Sequence, residues 1–402
     1  MIMNMTGELG PHGLLVKRSF SMGEKSDLGK KVRVLFVAPY GGVPGGISRW
    51  AGHVLDYYSN CGKSDCDLTL VPMGRSSFIN INSPRIYRLV EALKDYSIII
   101  RDFNKKLKNA SFDVMHLTSS ASWSLLKDIY MIKVARRKGL KTIIHFHFGR
   151  IPELSKTNKL EWKLIKRVLK LVDCAIVLDK KTLSVLQELG YKSVSCLPNP
   201  VSPLVRMIAS QSTVRRIPRS ILYCGHVVKT KGVFELIEAC SHITGITVKM
   251  VGYVTDEMRK SIDDSANSAD WLEVVGELPY TDVIKEMMAT DILVLPSYTE
   301  GFPNVILEGM ETGCAIVATD VGAIPQILEE ERGEKYGVIV KPCDIDGLEA
   351  AINYLLNNPE EKEAIRCRAI ARVEERYSME TIWRDLVSIW REALPIIINV
   401  NH

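Results

Sequence analysis

The sequence has no long apolar run. None of its 402 residues lies in an uninterrupted apolar stretch of about 18, the length that a membrane-spanning helix needs, so no such helix is predicted. The first 30 residues also lack the apolar core of a signal peptide. We therefore expect a cytoplasmic chain, and we interpret residues 1–30 as a flexible polar tail.

An ordered pattern of cysteines is also missing. The nine cysteines are scattered, and several lie in apolar strand-like segments such as DCAIVLD and SILYCG. We therefore expect reduced, buried thiols rather than disulfides. Cys61 and Cys66 are close in sequence, but no second pair of cysteines or histidines follows them, which argues against a zinc site.

Acidic residues are scarce in the first half of the chain. Residues 1–200 contain 32 Lys and Arg against 16 Asp and Glu, a formal charge of +16. Residues 201–402 contain 20 against 31, a formal charge of −11, so the whole chain carries +5. This asymmetry predicts two domains with different partners.

Short segments rich in Val, Ile and Leu alternate with helical patterns in both halves. Because these segments show little polar alternation, they are typical of parallel strands that are buried on both faces. We predict an α/β fold with two Rossmann-like, doubly wound parallel-sheet domains that face each other across a cleft. The predicted strands are 31–39, 67–72, 113–118, 141–148, 173–178 and 193–198, then 220–225, 246–252, 272–277, 291–297, 315–320 and 336–342.

The alternation stops in a segment rich in Pro and Ser, NPVSPLVRMIASQSTVRRIPRS. We interpret 201–219 as an interdomain linker between an N-terminal domain at 31–200 and a C-terminal domain at 220–377. The last predicted helix, 378–394, is a candidate to complete the N-terminal domain.

A basic loop follows the first predicted strand of the second half, in ILYCGHVVKTKGVFELIEA. The strand ends at Gly225, the loop carries His226, Lys229 and Lys231, and a helix begins near Gly232. Free N–H groups at a helix N-terminus attract anions, and nearby lysines strengthen that attraction, so a diphosphate is the expected guest. An ordinary basic turn is the alternative.

Two glutamates flank the start of a later helix, in EGFPNVILEGM. Glu300 lies on the loop, Pro303 fits the first helical turn, and Glu308 lies on the second turn. A carboxylate at this position suits sugar hydroxyls, because it accepts two hydrogen bonds at once. The alternative is that Glu300 interacts with the helix dipole and that Glu308 is a solvated helix residue.

Together these segments resemble the signature of the retaining glycosyltransferases of family 4, which have the two-domain GT-B fold. The pattern is Glu300, seven residues and Glu308, preceded by CGHVVKTKG and followed by ATDVGAIPQIL. In the first half, PYGGVPGGISRW resembles the opening glycine-rich loop of the family, and IIHFHFGR resembles the strand whose last histidine lines the cleft. The resemblance covers roughly residues 31–394.

The resemblance implies a role for each residue of the diphosphate site. Lys231, with help from His226 or Lys229, would neutralise the leaving diphosphate. Gly45 and Gly46 would let the backbone approach the donor phosphate.

The resemblance also implies how the rest of the donor is held. Main-chain groups around Phe302, Pro303 and Asn304 would bind the diphosphate and the sugar. Glu308 would bind the ribose hydroxyls and Glu300 would face the transferred sugar. The N-terminal domain would then bind the acceptor, and the C-terminal domain would bind the donor.

A histidine of the first domain completes the expected site. Strand alternation puts His145 and His147 on the same face, and His147 is nearer the strand end. We therefore favour His147 as the residue that contacts the sugar or its developing positive charge. The alternative is that both are core histidines.

Three positions depart from the family pattern. His226 stands where the family usually has Arg, so a permanent charge is replaced by a titratable one. Ala323 and Gln326 stand where Gly and Glu are common. No DxD-like acidic pair lies where a metal would bridge the phosphates, so we expect no metal and no cofactor.

We therefore expect a glycosyltransferase that moves a sugar from a nucleotide-diphosphate sugar to a glycan or lipid-linked glycan acceptor, with retention of configuration. Nucleic acid is not an expected partner. A nucleotide-sugar epimerase or hydrolase of similar fold, or a non-catalytic nucleotide-sugar-binding protein, is the alternative. A nicotinamide oxidoreductase is disfavoured, because GGVPGG is not G-x-G-x-x-G and the second strand leads into no ribose-binding acid.

A basic amphipathic pattern lies within SKTNKLEWKLIKRVLKLV. Its apolar residues, Leu164, Ile165, Val168, Leu169, Leu171 and Val172, share the other helix face. Such a helix can lie on an anionic membrane, so peripheral attachment to the inner face of the membrane is expected. The alternative is that the apolar face packs on the sheet and the basic residues are merely solvated. The basic residues are Lys156, Lys159, Lys163, Lys166, Arg167 and Lys170.

Overall fold

The computed structural model describes residues 31–41, 45–74, 85–211, 213–265, 269–329 and 333–394, with residues 85–89 and 92 described by their backbone alone. The tail predicted at 1–30 lies outside the described residues. Across the described ranges, no helix is long and apolar enough to cross a membrane.

The described part of the chain forms two parallel sheets of six strands each. Those of the first sheet are β1 (Val32–Ala38), β2 (Cys66–Pro72), β3 (Val114–Ser119), β4 (Lys141–Phe146), β5 (Cys174–Val177) and β6 (Val194–Cys196). Those of the second are β7 (Ser220–Cys224), β8 (Thr247–Val251), β9 (Leu272–Gly276), β10 (Ile292–Leu295), β11 (Ala315–Thr319) and β12 (Val338–Val340).

Helices connect these strands and cover both sheets. In the first half of the chain they are α1 (Gly46–Asn60), α2 (Arg85–Asn109), α3 (Ser124–Arg137), α4 (Ile151–Ser155), α5 (Leu160–Leu169), α6 (Lys180–Glu188) and α7 (Pro203–Gln211). In the second half they are α8 (Val233–Ser241), α9 (Asp256–Ser265), α10 (Tyr280–Ala289), α11 (Asn304–Glu311), α12 (Ile324–Leu328), α13 (Ile345–Asn357), α14 (Pro359–Tyr377) and α15 (Met379–Glu392).

The strand orders are β2-β1-β3-β4-β5-β6 and β12-β11-β10-β7-β8-β9, which confirms the predicted fold class. In the first sheet the chain reverses its direction of winding between β1 and β3. In the second sheet it does so between β7 and β10. Because the two loops at such a point turn away from each other, ligands bind there, at the carboxyl ends of the strands.

The last helix, α15, packs on the first sheet. Its buried side chains, including Trp383, Leu386 and Trp390, share a core with Val34 and Phe36 of β1. The Trp383 indole N–H donates a 2.8 Å hydrogen bond to Asp65, which precedes β2. The apolar face of α15 therefore packs against β1, a strand more than 300 residues earlier in the chain.

Two expectations need correction. The segment 201–219 is not irregular throughout, because Pro203–Gln211 form α7, whose Val205 is buried. The division of the chain into domains at this segment stays a prediction. The nine cysteines are free thiols as expected, but Cys61, Cys343 and Cys367 are exposed rather than buried.

Candidate functional site

The loops after β7 and β10 meet at the point where the second sheet reverses its winding. Lys231, on the first loop, forms an ion pair of 2.5 Å with Glu300, on the second. The Ser297 hydroxyl donates to the same Glu300 oxygen at 2.8 Å. Both ion-pair side chains are only partly exposed. The structure thus brings together two residues that were predicted to act on neighbouring parts of the donor, Lys231 on the diphosphate and Glu300 on the transferred sugar.

Gly232 allows the first loop to approach the second. Its φ is +71°, in the left-handed region that favours glycine. A Cβ there would lie 2.0 Å from the carbonyl oxygen of Pro296. No other residue therefore fits between Lys231 and the first turn of α8.

Gly322 packs directly against the backbone of the Glu300 loop. Its φ is +57°, and a Cβ would lie 2.4 Å from the Glu300 carbonyl oxygen and 2.6 Å from that of Gly301. The Ala323 N–H donates to the Gly301 carbonyl at 2.9 Å. The segment ATDVGAIPQIL, which contains Gly322 and Ala323, thus contacts the loop that carries Glu300.

Glu308 lies in α11 and is almost fully buried. The Tyr280 hydroxyl donates to one of its carboxylate oxygens at 2.8 Å. Burial raises the pKa of Glu308, while the Tyr280 hydrogen bond and the positive charge of Arg49 act in the opposite direction. The alternative that Glu308 is a solvated helix residue is therefore wrong.

The N-terminus of α11 lies beside Glu300. Pro303 is the N-cap residue, one position before the first turn in which it was expected, and no side chain caps the helix. Asn304 is the first helical residue, and its side-chain oxygen accepts a 3.0 Å hydrogen bond from Asn199 of the first half. Phe302 is buried against Tyr377. The uncapped positive end of the helix dipole is a suitable place for an anion.

The remaining residues of the basic loop are more open. His226 and Lys229 are exposed, and Gly225 is half-buried at the end of β7. The His226 ring lies 6.1 Å from the ring of Tyr253, centroid to centroid. Neither side chain joins the Lys231–Glu300 pair.

Three histidines lie together in the first sheet. The rings of His145 and His147 are 4.0 Å apart, which confirms the predicted common face, and those of His116 and His145 are 5.5 Å apart. His145 is fully buried, whereas His147 follows the last residue of β4 and is partly exposed. His147 is therefore the member of the pair nearer the cleft.

Burial makes these histidines neutral. It lowers the pKa of His116 and of His147 to about 3, and it lowers that of His145 as well. Both ring nitrogens of His145 and the Nε2 atoms of the other two have no hydrogen-bond partner among the described residues. At neutral pH, His147 can thus donate or accept a hydrogen bond but carries no charge.

Two tryptophans enclose the histidines. The Trp50 ring lies 4.6 Å from that of His147 and 4.8 Å from that of His145. The indole N–H of Trp390, on α15, donates to Nδ1 of His116 at 3.0 Å. This hydrogen bond fixes the His116 tautomer with its proton on Nε2.

The two halves of the site approach closely at their backbones. A Cβ on Gly149, after β4, would lie 2.7 Å from the Cα of Gly301. Gln326, which stands where the family commonly has Glu, accepts a 2.6 Å hydrogen bond from the backbone N–H of Lys180. This residue therefore contributes a contact between the two halves of the chain. Gly149 therefore brings the strand of His147 to the loop of Glu300.

The glycine-rich loop leads into α1. Gly45 is the N-cap, and a Cβ on Gly46 would meet no heavy atom within 4 Å. Among the described residues, nothing crowds Gly46 on the side where a Cβ would lie. Arg49, in the first turn of α1, places its guanidinium carbon 5.8 Å from the centre of the Tyr280 ring.

The prediction for the apolar face of the basic helix is wrong. Ile165, Val168 and Leu169 are buried in the core of the first half, and Leu164 packs against that core. An amphipathic pattern is the same whether the apolar face meets a sheet or a bilayer, so sequence alone could not separate the two. The basic residues of the stripe are all exposed: Lys156, Lys159, Lys163, Lys166, Arg167 and Lys170.

Sequence reasoning missed several residues of the site. Tyr280, Ser297 and Asn199 contact predicted residues directly. Each follows a strand within a few positions, which is the signal that could have revealed them. His116 gave no such signal, because it lies within β3 rather than after it.

The fold and the site define a class of protein: two Rossmann-like domains of GT-B architecture, with a Lys–Glu pair and a buried glutamate at the switch point of the second sheet. The model for glycosyl transferases of group 1 matches residues 209–372, and the model for glycosyltransferase family 4 matches residues 53–203. The two halves of the chain are therefore similar to glycosyltransferases, the first half to those of family 4 and the second half to those of group 1.

Individual relatives agree with this class. The capsular polysaccharide biosynthesis glycosyltransferase CapM of Staphylococcus aureus is 31% identical over 181 residues, which are 43% of this chain and 46% of CapM. The chain spans about half the length of the curated relatives that it matches.

Two solved structures share the fold. Sucrose-phosphate synthase from Thermosynechococcus elongatus has a TM-score of 0.68 at 17% identity, over 90% of this chain and 99% of its own. Anabaena HepE in complex with UDP has a TM-score of 0.66 at 15% identity, over 90% of this chain and all of its own.

The contact beneath Glu300 generates a prediction. Gly322→Ala should lower the midpoint of urea unfolding more than Gly333→Ala does. Both glycines have positive φ, +57° and +83°, so both variants carry a left-handed penalty of about 1–2 kcal/mol. A Cβ at Gly322 also overlaps two carbonyl oxygens, whereas one at Gly333 meets no heavy atom within 4 Å. Equal midpoints for the two variants would contradict the described packing.

Proposed function

We propose that the chain transfers a sugar from a nucleotide-diphosphate sugar to an acceptor hydroxyl, with retention of configuration and without a metal. The acceptor oxygen would bond to the anomeric carbon, while the bond from that carbon to the diphosphate oxygen breaks. The hydroxyl proton would leave with the diphosphate. Retention rests on the resemblance to family 4.

One observation carries the proposal. Lys231 pairs with Glu300 on the loop that leads to the uncapped N-terminus of α11, and Glu308 is buried within that helix. A cation and free N–H groups suit a diphosphate, and two carboxylates suit hydroxyl groups. A nucleotide-diphosphate sugar carries both kinds of group in one molecule.

The role of Lys231 follows from where charge develops. As the bond to the diphosphate breaks, negative charge grows on the leaving oxygen, and a fixed cation beside it stabilises the transition state. We propose that Lys231 exchanges part of its contact with Glu300 for the diphosphate. Lys229 and His226 are open to solvent and would add to the positive potential.

The sugar would lie between the two halves of the chain. Glu300 would face it from the second sheet, and His147 would face it from the first. Because His147 is neutral, it would act as a hydrogen-bond partner rather than as a cation. Phe302, Pro303 and Asn304 would supply main-chain groups to the diphosphate and the sugar.

The relatives guide the choice of substrates. HepE was solved with UDP and, in a further structure, with UDP-glucose, so UDP-sugars are the first donors to test. The name of CapM refers to capsular polysaccharide, so we propose a growing, lipid-linked glycan of a cell-surface polysaccharide as the acceptor.

A thermal-shift panel of UDP-, GDP-, ADP- and TDP-sugars tests the function directly. A donor at about 100 times its Kd should stabilise the folded chain by about 2.7 kcal/mol. Transfer to a glycan acceptor then separates a transferase from an epimerase or hydrolase. The proposal would be overturned if the sugar of the donor were epimerised, or the donor hydrolysed, at the same rate with and without acceptors.

Glu308→Gln should weaken donor binding, because it removes the negative charge that accepts two hydroxyl hydrogen bonds. The loss expected for a charged hydrogen bond is about 1.5–3 kcal/mol. Because the pKa of Glu308 is raised, affinity should also fall as the pH drops through the raised pKa, and the Gln variant should lack this dependence. Titration calorimetry measures both effects.

A matched control is Glu311→Gln, one turn further along α11, where the carboxylate pairs with Arg206 instead. Unchanged donor affinity in a folded Glu308→Gln variant, or an equal loss in both variants, would exclude the ribose role.

Lys231→Ala should lower turnover at saturating donor by about 10²–10³, because the charge on the leaving group is largest in the transition state. The loss in turnover should exceed that of Glu308→Gln, whose effect is on affinity. Single-turnover rates at saturating donor measure this. Lys285→Ala, an exposed lysine of α10, is the control. A loss below about fivefold after correction for affinity would contradict the role.

We also propose that the first half of the chain docks on an anionic membrane through the α3–α5 surface. This surface consists of the exposed basic stripe and of exposed apolar side chains beside it. Trp123 is 68% exposed, and Leu160 of α5 is 53% exposed. The two lie together with Leu164 in one groove. An aromatic residue and a leucine within a basic surface match the membrane interface.

Charge reversal on the stripe should abolish sedimentation with anionic vesicles, since each lysine contributes about 1 kcal/mol near an anionic surface. The test compares phosphatidylcholine vesicles with and without phosphatidylglycerol, at low and high salt. The membrane proposal would be wrong if the chain sedimented equally with neutral and anionic vesicles. It would also be wrong if the stripe variant and the control variant sedimented equally, and a soluble acceptor would then be the better interpretation. The variant is Lys159→Glu, Lys163→Glu, Lys166→Glu and Lys170→Glu, and the control is Lys260→Glu, Lys285→Glu, Lys335→Glu and Lys341→Glu.

A further inference from the structure

Arg49 reaches across the cleft from the first half of the chain. It lies in the first turn of α1, directly after the glycine-rich loop, and its backbone N–H donates to the carbonyl of Gly45 at 3.0 Å. Its guanidinium carbon lies 5.8 Å from the centre of the Tyr280 ring, and Tyr280 holds Glu308 by a 2.8 Å hydrogen bond. A cation over an aromatic face is attracted to it, so the contact is specific.

The charge of Arg49 acts on the second half of the site. Burial raises the pKa of Glu308 and of the Cys224 thiol, and the nearby guanidinium acts in the opposite direction on both. Glu308 lies in α11, and Cys224 is the last residue of β7. Arg49 therefore stands close to the two elements that frame the diphosphate site.

Arg49 is also available for a ligand. It is exposed, and the ion pairs formed among the described residues do not include it. Lys231, by contrast, is already paired with Glu300. A guanidinium has five N–H donors, which suit the several oxygens of a diphosphate.

The basic loop contains lysines and a histidine but no guanidinium. Position 226 is His226, exposed beside Tyr253, and the segment from Gly225 to Gly232 contains no arginine. A guanidinium is present instead on Arg49, in the first turn of α1 in the first half of the chain.

We propose that Arg49 is a donor-binding residue that grips the diphosphate of the nucleotide from the first half of the chain. The inference rests on the proposed function and extends it. Arg49 would bind phosphate oxygens through paired N–H groups, next to the free N–H groups at the start of α1 and the open space at Gly46. A donor held by Lys231 on one side and Arg49 on the other would draw the two halves together.

The test uses titration calorimetry on the full chain with UDP and uridine, and with the diphosphates and nucleosides of guanine, adenine and thymine. Arg49→Gln should weaken the binding of the preferred diphosphate by about 10- to 100-fold, because a charged hydrogen bond is lost. Binding of the matching nucleoside should be unchanged. Arg49→Lys should recover part of the loss, since a point charge remains.

Arg101→Gln, an exposed arginine of α2 in the same half, is the control and should bind as the wild type does. A wild-type chain that binds none of the diphosphates would overturn the proposed function itself. Diphosphate binding that is equal in wild type and Arg49→Gln would overturn the role of Arg49 alone. An equal loss for nucleoside and diphosphate would overturn the assignment to the phosphates.

Discussion

Backbone-to-backbone contact at glycine is the constraint on which the site depends. Gly232 lies against the carbonyl of Pro296, Gly322 lies against the carbonyls of Glu300 and Gly301, and Gly149 lies against Gly301. At each place a single methyl group would overlap main-chain atoms. These contacts bring four loops from different parts of the chain within reach of one another. The Lys231–Glu300 pair, at 2.5 Å, exists because the first of them is so close.

The Glu300 carboxylate has two partners within hydrogen-bond distance, Lys231 and Ser297. A partly buried ion pair is weakened when one member is lost, because the remaining charge is less well solvated than in water. Glu300 also accepts a hydrogen bond from Ser297, so its carboxylate has a second partner besides Lys231.

Local patterns predicted the architecture and which candidate residues lie at the strand ends of the second sheet. Apolar strands and the spacing from Glu300 to Glu308 are short-range properties, and strand ends of a parallel sheet share one edge, so these residues could be placed from sequence. The Lys231–Glu300 contact, the Trp390–His116 hydrogen bond and the position of Arg49 each join residues that are far apart in sequence. The apolar face of α5 was ambiguous for a different reason, since a sheet and a bilayer select the same side chains.

The packing of α15 on the first sheet has a consequence for how the chain folds during synthesis. Ribosomes deliver the first sheet long before Met379–Glu392, so the face of β1 that Trp383 and Trp390 cover must wait for the second sheet to be made. Until α15 is synthesised, it cannot cover Phe36 and His116. The half that is synthesised first is therefore the last to be finished, and a nascent chain stalled before α15 would present that apolar face to chaperones.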